Sequence, residues 1–555
     1  MIWRNKYKRR SLYTNLPDED WYDTVFRVLQ GTSSSVFPSE WQALKDALGV
    51  LEMVPGGRIL AGAGTRDHVT LANTFVIGSI TPNADDTVSA LVRSARTMQM
   101  GGGIGIDLSF VPPKGEPLKG GGTSPGVLAY AELWNSMCET IVSSDAQRGA
   151  MMVVLRCDHP EIQVFIRSKS TRGALTRLNA SVLVTDDLIA AKAEGRPWPL
   201  RFDGHVDRYV DAGVLWAELA SAAYESAEPG VIFIDRINNA NNLGYCEEIV
   251  ATNSCAEQPL PAGGSAPLAS INLAALVKDP FTPSSYLDID RLRTLARLGV
   301  RFLDRVIDHT DYPDQGQHQQ AHAKRRIGLG VKGLGDALIL CGFRYGSPES
   351  LACLRQWLGA FRDASYEASI ELAEERGPFP LFKRDAFLER PFIKSLNPAI
   401  RATISSSGIR NAVVNCIAPT GSTALLANNV SGGIEPVYAH RQRREIMMPD
   451  HSSKRVELKS WSLEKYLELF PERADRPLPY SFATALDVHH EEHLAVQAEA
   501  QRFIDGSISK TINFAADVEL AALESVYSRA HDLGCKSLSI FRPSPLRGQV
   551  LSSAD

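Results

Sequence analysis

From about residue 56 onward, short apolar runs alternate with long amphipathic stretches, which restricts the chain to interleaved strands and helices. The runs are Arg58-Ile59-Leu60, Thr74-Phe75-Val76-Ile77, Met151-Met152-Val153-Val154-Leu155, Ser181-Val182-Leu183-Val184 and Val231-Ile232-Phe233-Ile234. Helical stretches are expected at 212–226, 289–309, 348–376 and 515–533. Strands joined by helices of that length predict an α/β fold. At 555 residues the chain exceeds the usual single-core limit of roughly 250–300. No repeat or low-complexity linker divides it, so one large body is expected over 56–545. A helical segment at 1–55 precedes it, and a tail at 546–555 follows. In the first segment, Asp18-Glu19-Asp20 opens a helix through Trp21, Val25, Phe26 and Leu29, because acidic side chains suit a helix start. The polar tract 441–478 reads as a surface excursion and residues 551–555 as loose.

The net charge of −5 excludes a broad basic surface for nucleic acid. No run of eighteen apolar residues calls for a membrane-spanning helix. The start, Met1 to Arg10, is basic but lacks the apolar centre of a signal peptide. Eight scattered cysteines without a Cys-x-x-Cys pair predict reduced thiols and a cytoplasmic location.

Three segments carry chemistry. In Thr252-Asn253-Ser254-Cys255-Ala256-Glu257-Gln258-Pro259-Leu260, an amide, a thiol and a carboxylate occupy alternate positions. If the segment is extended, Asn253, Cys255 and Glu257 share a face, which equips it for radical or nucleophilic chemistry. The alternative is a buried cysteine in a loop. In Ala418-Pro419-Thr420-Gly421-Ser422-Thr423-Ala424-Leu425-Leu426, amides and hydroxyls follow the strand-like run Ala412 to Ile417 and enter a helix. That arrangement fits either a phosphate site or a plain helix cap. The glycines of Met100 to Asp107 do not match Gly-x-Gly-x-x-Gly, and close backbone packing beside a substrate is the better reading.

Together these segments resemble the adenosylcobalamin-dependent, class II ribonucleotide reductases. The resemblance extends through Pro55 to Thr65, Gln147-Arg148-Gly149-Ala150-Met151-Met152 and Leu155-Arg156-Cys157-Asp158-His159-Pro160. It continues in Lys324-Arg325-Arg326-Ile327-Gly328-Leu329-Gly330, Ser431-Gly432-Gly433-Ile434-Glu435-Pro436 and Ser507 to Asn513. It implies a ten-stranded α/β barrel with Cys255 at the tip of a central finger loop. It also implies adenosylcobalamin as radical source, with no metal beyond its cobalt, and a ribonucleotide substrate. By the same matching, Cys255 is the thiyl that removes the ribose 3′-hydrogen, Glu257 the base on the 3′-hydroxyl and Asn253 a positioner. Thr420, Gly421, Ser422 and Thr423 would hold phosphate. A homodimer is the family-based expectation, and no N-terminal ATP-cone is expected. The iron–sulfur, glycyl-radical and tyrosine-pair signatures of related radical enzymes are missing; Leu546-Arg547-Gly548-Gln549-Val550 is the nearest thing to the second.

The chain departs from that family where it matters for electrons. Relatives carry a redox cysteine at the position of Thr74 and its partner at Ala266, and usually a terminal cysteine pair, whereas this chain ends Leu551-Ser552-Ser553-Ala554-Asp555. Reducing the 2′ carbon requires two electrons that a thiol pair supplies on becoming a disulfide. Thr74 and Ala266 cannot supply them. Two outcomes follow: reduction with an external reductant such as formate or a thiol, or a redox-neutral reaction that yields a 3′-epimer or a dehydrated 3′-keto-2′-deoxynucleotide. Cys416 is a candidate replacement donor, although a cysteine in an apolar strand is more often buried packing. A non-enzymatic nucleotide-binding paralogue is a third reading, opposed by the intact Asn-x-Cys-x-Glu.

Overall fold

The structure is a computed structural model that describes residues 19–33, 38–81, 83–118, 121–141, 149–171, 173–447, 453–544 and 552–553. Five strands run parallel in the order Thr74–Ser79, Gly103–Asp107, Met151–Arg156, Asn179–Val184 and Gly230–Phe233. Ser265–Ala266 pairs antiparallel with the first of them, and Ser537–Phe541 pairs antiparallel with the last. Thr511–Asn513 adds a parallel eighth strand beside Ser537–Phe541. A second sheet of three strands joins Met53–Pro55, Leu268–Asn272 and Gly328–Lys332. Parallel bridges extend it, Leu329 to Asn415 and Ile417 to Ile508.

The sheet strands read as unbroken apolar runs because both faces are covered. Phe75, Ile77, Met151, Val153 and Leu155 face the core beneath the outer helices. Val76, Met152, Val154, Leu183 and Ile232 point the other way and form a small inner core with Ala251 and Leu260. That inner core seats a two-stranded hairpin, Ala251–Thr252 against Pro259–Leu260, inside the sheet.

Helices form at Ala212–Ser226, Ile289–Asp308, Pro348–Arg376 and Leu520–Asp532, close to their expected places. Asp211, Asp288 and Ser347 cap the first three through their side chains, and Pro348 starts the third. Arg58-Ile59-Leu60, expected as a strand, lies instead in the short helix Gly57–Gly62. Three apolar residues are too few to separate the two periodicities.

The N-terminal helix Trp21–Gly31 is capped by Asp20. It and Pro38–Gly49 place Val25, Val28, Leu44 and Leu48 in the same core as Leu292, Leu295 and Phe302. Buried Arg27 donates to Glu19 and to the carbonyls of Leu60 and Ala63. Glu40 binds Arg301 at 3.1 Å and Arg305 at 2.5 Å, and Arg301 reaches on to Glu375.

Within the 441–478 excursion, Arg441–Met447 and Ser453–Lys459 form a hairpin followed by the helix Trp461–Leu469. Residues 545–551, 554 and 555 lie outside the described residues. Ser552–Ser553, expected to be loose, pairs with Arg443 and Gln442. The basic start and residues 142–148, which include Gln147 and Arg148, are likewise outside the described residues. Among the described residues no helix is long and apolar enough to cross a membrane.

Candidate active site

The tip of the inner hairpin is a tight turn, so the extended geometry that would put 253, 255 and 257 on one face is not what brings them together. Asn253 N donates to Gln258 O at 3.1 Å, and Ala256 N donates to Asn253 O at 3.1 Å. Ala256 takes a left-handed conformation with φ of 65°. The Asn253 side chain accepts from the Gln258 amide at 2.9 Å, so this residue pins the turn from within. Asn179 Nδ2 holds Ser254 O at 2.9 Å, and the Ser507 amide holds Glu257 O at 3.1 Å. The tip is therefore braced from both sides.

Its close seating depends on glycine. A Cβ on Gly105 would stand 1.8 Å from Thr252 O, so the hairpin backbone can lie against the Gly103–Asp107 strand only if position 105 has no side chain. The expectation of close packing at 101–107 is met there. Gly105→Ala should force the hairpin to retreat, costing about 1–3 kcal/mol of stability and most of the activity. Thermal melting and turnover measured together check this; unchanged values for both would rule out the tight seating.

The turn replaces the extended geometry but still brings the three residues to one place. Asn253, Cys255 and Glu257 line a cavity of about 270 Å³ together with Thr74, Arg58, Asn73, Gly101–Gly103, Gly149 and Thr420–Thr423. Cys255 is exposed on the cavity side, while protein atoms crowd the thiol from the other sides. Burial, then the nearby Glu257, push its thiol up to about 12. A thiol so hard to ionise keeps its hydrogen at neutral pH, which suits hydrogen-atom transfer better than attack as a thiolate.

Glu257 is buried, and burial pushes its carboxyl up to about 7; hydrogen bonds from the Asn253 side chain and the residue's own backbone amide pull the other way. Among the described residues its Oε2 has no hydrogen-bond partner. A carboxyl poised near neutrality with a free buried oxygen is equipped to accept a proton from a hydroxyl placed in the cavity.

Across the cavity, Thr420 takes a left-handed conformation and precedes the short helix Gly421–Leu426. Thr420 Oγ1 accepts from the Gly433 amide, and Thr423 Oγ1 donates to Thr420 O at 3.1 Å. The first amides of this turn have no carbonyl inside the helix to bind.

Thr74 and Ala266 are register partners on adjacent antiparallel strands, and Thr74 Oγ1 donates to Ala266 O at 2.9 Å. Thr74 lines the cavity; Ala266 stands directly across from it. Cys416 does not line the cavity. It is buried, with its Sγ packed so close to Gly328 that a Cβ there would lie 2.7 Å away. Its surroundings are those of a packing cysteine.

Three polar residues escaped the reading of the sequence as individuals. Arg58 and Asn73 line the cavity; Arg58 sits inside the Pro55–Thr65 motif, and Asn73 immediately precedes Thr74. Lys332, behind Thr423, lies just beyond the Ile327–Gly330 motif, and nothing in the sequence marked it.

Residues 74–541 match the ribonucleotide reductase barrel domain, and the chain belongs to that family. It is 32% identical over 522 residues to the vitamin B12-dependent ribonucleoside-diphosphate reductase of Mycobacterium tuberculosis (strain CDC 1551 / Oshkosh), covering 91% of this chain and 72% of the relative. The protein of the same description from Thermoplasma acidophilum is 30% identical over 550 residues, covering 94% and 67%. The vitamin B12-dependent ribonucleotide reductase of Streptomyces avermitilis is 26% identical over 524 residues, covering 82% and 54%. Within the family the chain falls in the class II group, and it is a ribonucleotide reductase-like enzyme.

Proposed function

We propose that the chain is an adenosylcobalamin-dependent radical enzyme that acts on the ribose of a ribonucleotide through Cys255 and gives a 2′-deoxyribonucleotide with an external reductant. The observation that carries this is the convergence of Cys255, Glu257, Asn253 and Thr420–Thr423 on one cavity. The relatives' description as vitamin B12-dependent reductases supports the cofactor. So does the thiol itself, protonated and open to the cavity. Of the residues present, Cys255 and the side-chain-free wall of Gly101, Gly102, Gly103 and Gly149 would receive the adenosyl end. When bound, the cofactor supplies homolysis of its cobalt–carbon bond and hence a radical able to take hydrogen from a thiol.

The chain's own residues do the rest. Thr420–Thr423 hold the phosphate end, which fixes the ribose relative to the finger tip. Cys255, as a thiyl, removes the 3′-hydrogen. Glu257 takes the 3′-hydroxyl proton on its free oxygen, and Asn253 holds the turn that aims both. A ten-stranded barrel enclosing this site is the architecture we infer. Support comes from the continuous stretch 265–272, which pairs with one sheet at each end, and from the bridges at 415 and 417.

A redox-neutral outcome is favoured by one observation. The Thr74 hydroxyl is committed to Ala266 O, and neither residue can form a disulfide. Without added electrons, hydrogen returned by Cys255 to the opposite face gives a 3′-epimer. Loss of water instead gives a 3′-keto-2′-deoxynucleotide. Anaerobic incubation with adenosylcobalamin and each ribonucleotide, with and without dithiothreitol or formate, tests both readings. Deoxynucleotide formed only with reductant supports reduction, and an isomer or dehydrated product without it supports the redox-neutral reaction. No turnover under any condition removes both.

Glu257 adds a pH test. Its raised pKa leaves the carboxyl protonated below about 7, where it cannot accept a proton, so turnover should rise with pH through that region and then level off. Glu257→Gln should remove this rising limb and lower turnover by about 10²–10⁴-fold. A variant profile that keeps the limb would assign the titration to another group.

A further inference from the structure

Lys332 ends the strand Gly328–Lys332 and is fully buried, yet no ion pair neutralises it among the described residues. Its Nζ donates to Thr423 Oγ1 at 2.8 Å, and Thr423 passes the contact on to Thr420 O. The surrounding elements offer no counter-charge. Its partner on the neighbouring strand is Asn272, and the 413–417 segment presents Asn415 to the same strand. Asp336, on the helix that follows, accepts from the amides of Ser431 and Ser462. Glu435 is held by Lys510 and the Thr511 amide. Among the described residues, the titratable groups of the cavity in front of Thr423 are Arg58, Cys255 and Glu257. Burial alone holds the Lys332 pKa well below the usual lysine value. An amine without an acid partner in a low-dielectric interior sheds its proton rather than carry charge.

We propose that Lys332 is a proton-coupled positioning residue for anion recognition: it stands neutral while the Thr420–Thr423 loop is empty and takes up a proton when a phosphorylated ligand seats there. This rests on the phosphate reading of that loop. The ligand supplies the negative charge that the protein withholds. Thr423 receives a hydrogen bond from the Lys332 Nζ in either protonation state, so the loop keeps its shape while the charge behind it changes. Affinity for a phosphorylated ligand should therefore fall as pH rises between the lysine pKa values of the empty and occupied states, and affinity for the unphosphorylated nucleoside should not.

Calorimetric titration in buffers of different ionisation enthalpy, without cofactor, measures the linked proton directly. Each ribonucleoside diphosphate is compared with its ribonucleoside, at a pH above the phosphate's own second ionisation. The native protein should take up a proton, approaching about one per diphosphate bound, and none with the nucleoside. Lys332→Met, which replaces the amine by an apolar chain of similar length, should lose that uptake and bind the diphosphate about tenfold more weakly. Gly421→Asp tests the loop separately, since a Cβ at this position meets none of the described residues within 4 Å and the carboxylate brings a negative charge to the proposed phosphate site. If Gly421→Asp abolishes diphosphate binding but the native protein takes up no proton, or Lys332→Met takes up as many, the role of Lys332 is overturned and the phosphate site stands. If diphosphate binds no better than nucleoside and Gly421→Asp changes nothing, the phosphate reading itself fails. Should Lys332→Met not fold, proton uptake by the native protein alone decides the question.

Discussion

Serine in place of Cys255 should leave a folded protein with no measurable turnover of any ribonucleotide, whichever product the native enzyme makes. The change exchanges sulfur for oxygen at one position in a turn held by Asn253, Gln258, Asn179 and Ser507 through bonds that do not involve the thiol, whose own contact is with Ser254 Oγ at 3.7 Å. Stability should therefore change little. The chemistry should change completely, because an O–H bond is far stronger than an S–H bond and will not yield its hydrogen to a carbon radical. Turnover assays beside a thermal melt separate the two effects. A serine variant that melts normally and still forms product would remove Cys255 from the reaction. Equal loss in a variant that no longer folds would leave the assignment resting on Cys255→Ala.

Thr74→Cys together with Ala266→Cys should create, beside the cavity, a dithiol that can supply two electrons as it closes to a disulfide. Directly opposed positions on antiparallel strands have Cα atoms about 4.5–5.5 Å apart, inside the roughly 4.4–6.8 Å that a disulfide accepts. Their side chains lie on one face of the pair. The bridge would close a loop between positions 192 apart in the chain. Loop-closure entropy then predicts stabilisation of up to about 5 kcal/mol. Oxidised double variant should lose two hydrogens by intact mass and melt above its reduced form. Reduced double variant, supplied with adenosylcobalamin and ribonucleotide but no other reductant, should form about one deoxynucleotide per chain as its dithiol is consumed. Failure to form the bridge would mean that the two positions do not face each other. A bridge without deoxynucleotide would favour the redox-neutral reaction as intrinsic to the rest of the site.

Much of the scaffold is legible in the residues because the sheet is covered on both faces. Thr74–Ile77, Met151–Leu155 and Ser181–Val184 are apolar at consecutive positions, and each lies within a strand. Val231–Ile234 overruns by one residue, since Ile234 already opens the next helix. The shape of the finger tip is not legible in its residues. Alternating polar residues at 253, 255 and 257 fit an extended strand, but Ala256 adopts a left-handed turn that no alanine advertises. The grouping of the three survives because the hairpin aims the whole tip into the cavity. The pairing of Thr74 with Ala266 was not legible from local pattern, being a contact across 192 positions, and only resemblance to a family drew attention to it. Lys332 was missed for a plainer reason. A lysine at the end of an apolar run ordinarily marks a strand emerging into solvent, and here the strand ends beneath a loop instead.

The helices Trp21–Gly31 and Pro38–Gly49 have a consequence for how the chain is made. Arg27 of the first binds the nearby carbonyls of Leu60 and Ala63, whereas Glu40 of the second meets Arg301 across 261 positions, and Leu44 shares a core with Leu292, Leu295 and Phe302. During synthesis Pro38–Gly49 emerges long before that distant helix exists, so the face it will cover stays without its final partner until the chain has grown that far. The interior is thus closed by segments far apart in the sequence, and contacts of such high sequence separation favour slow assembly.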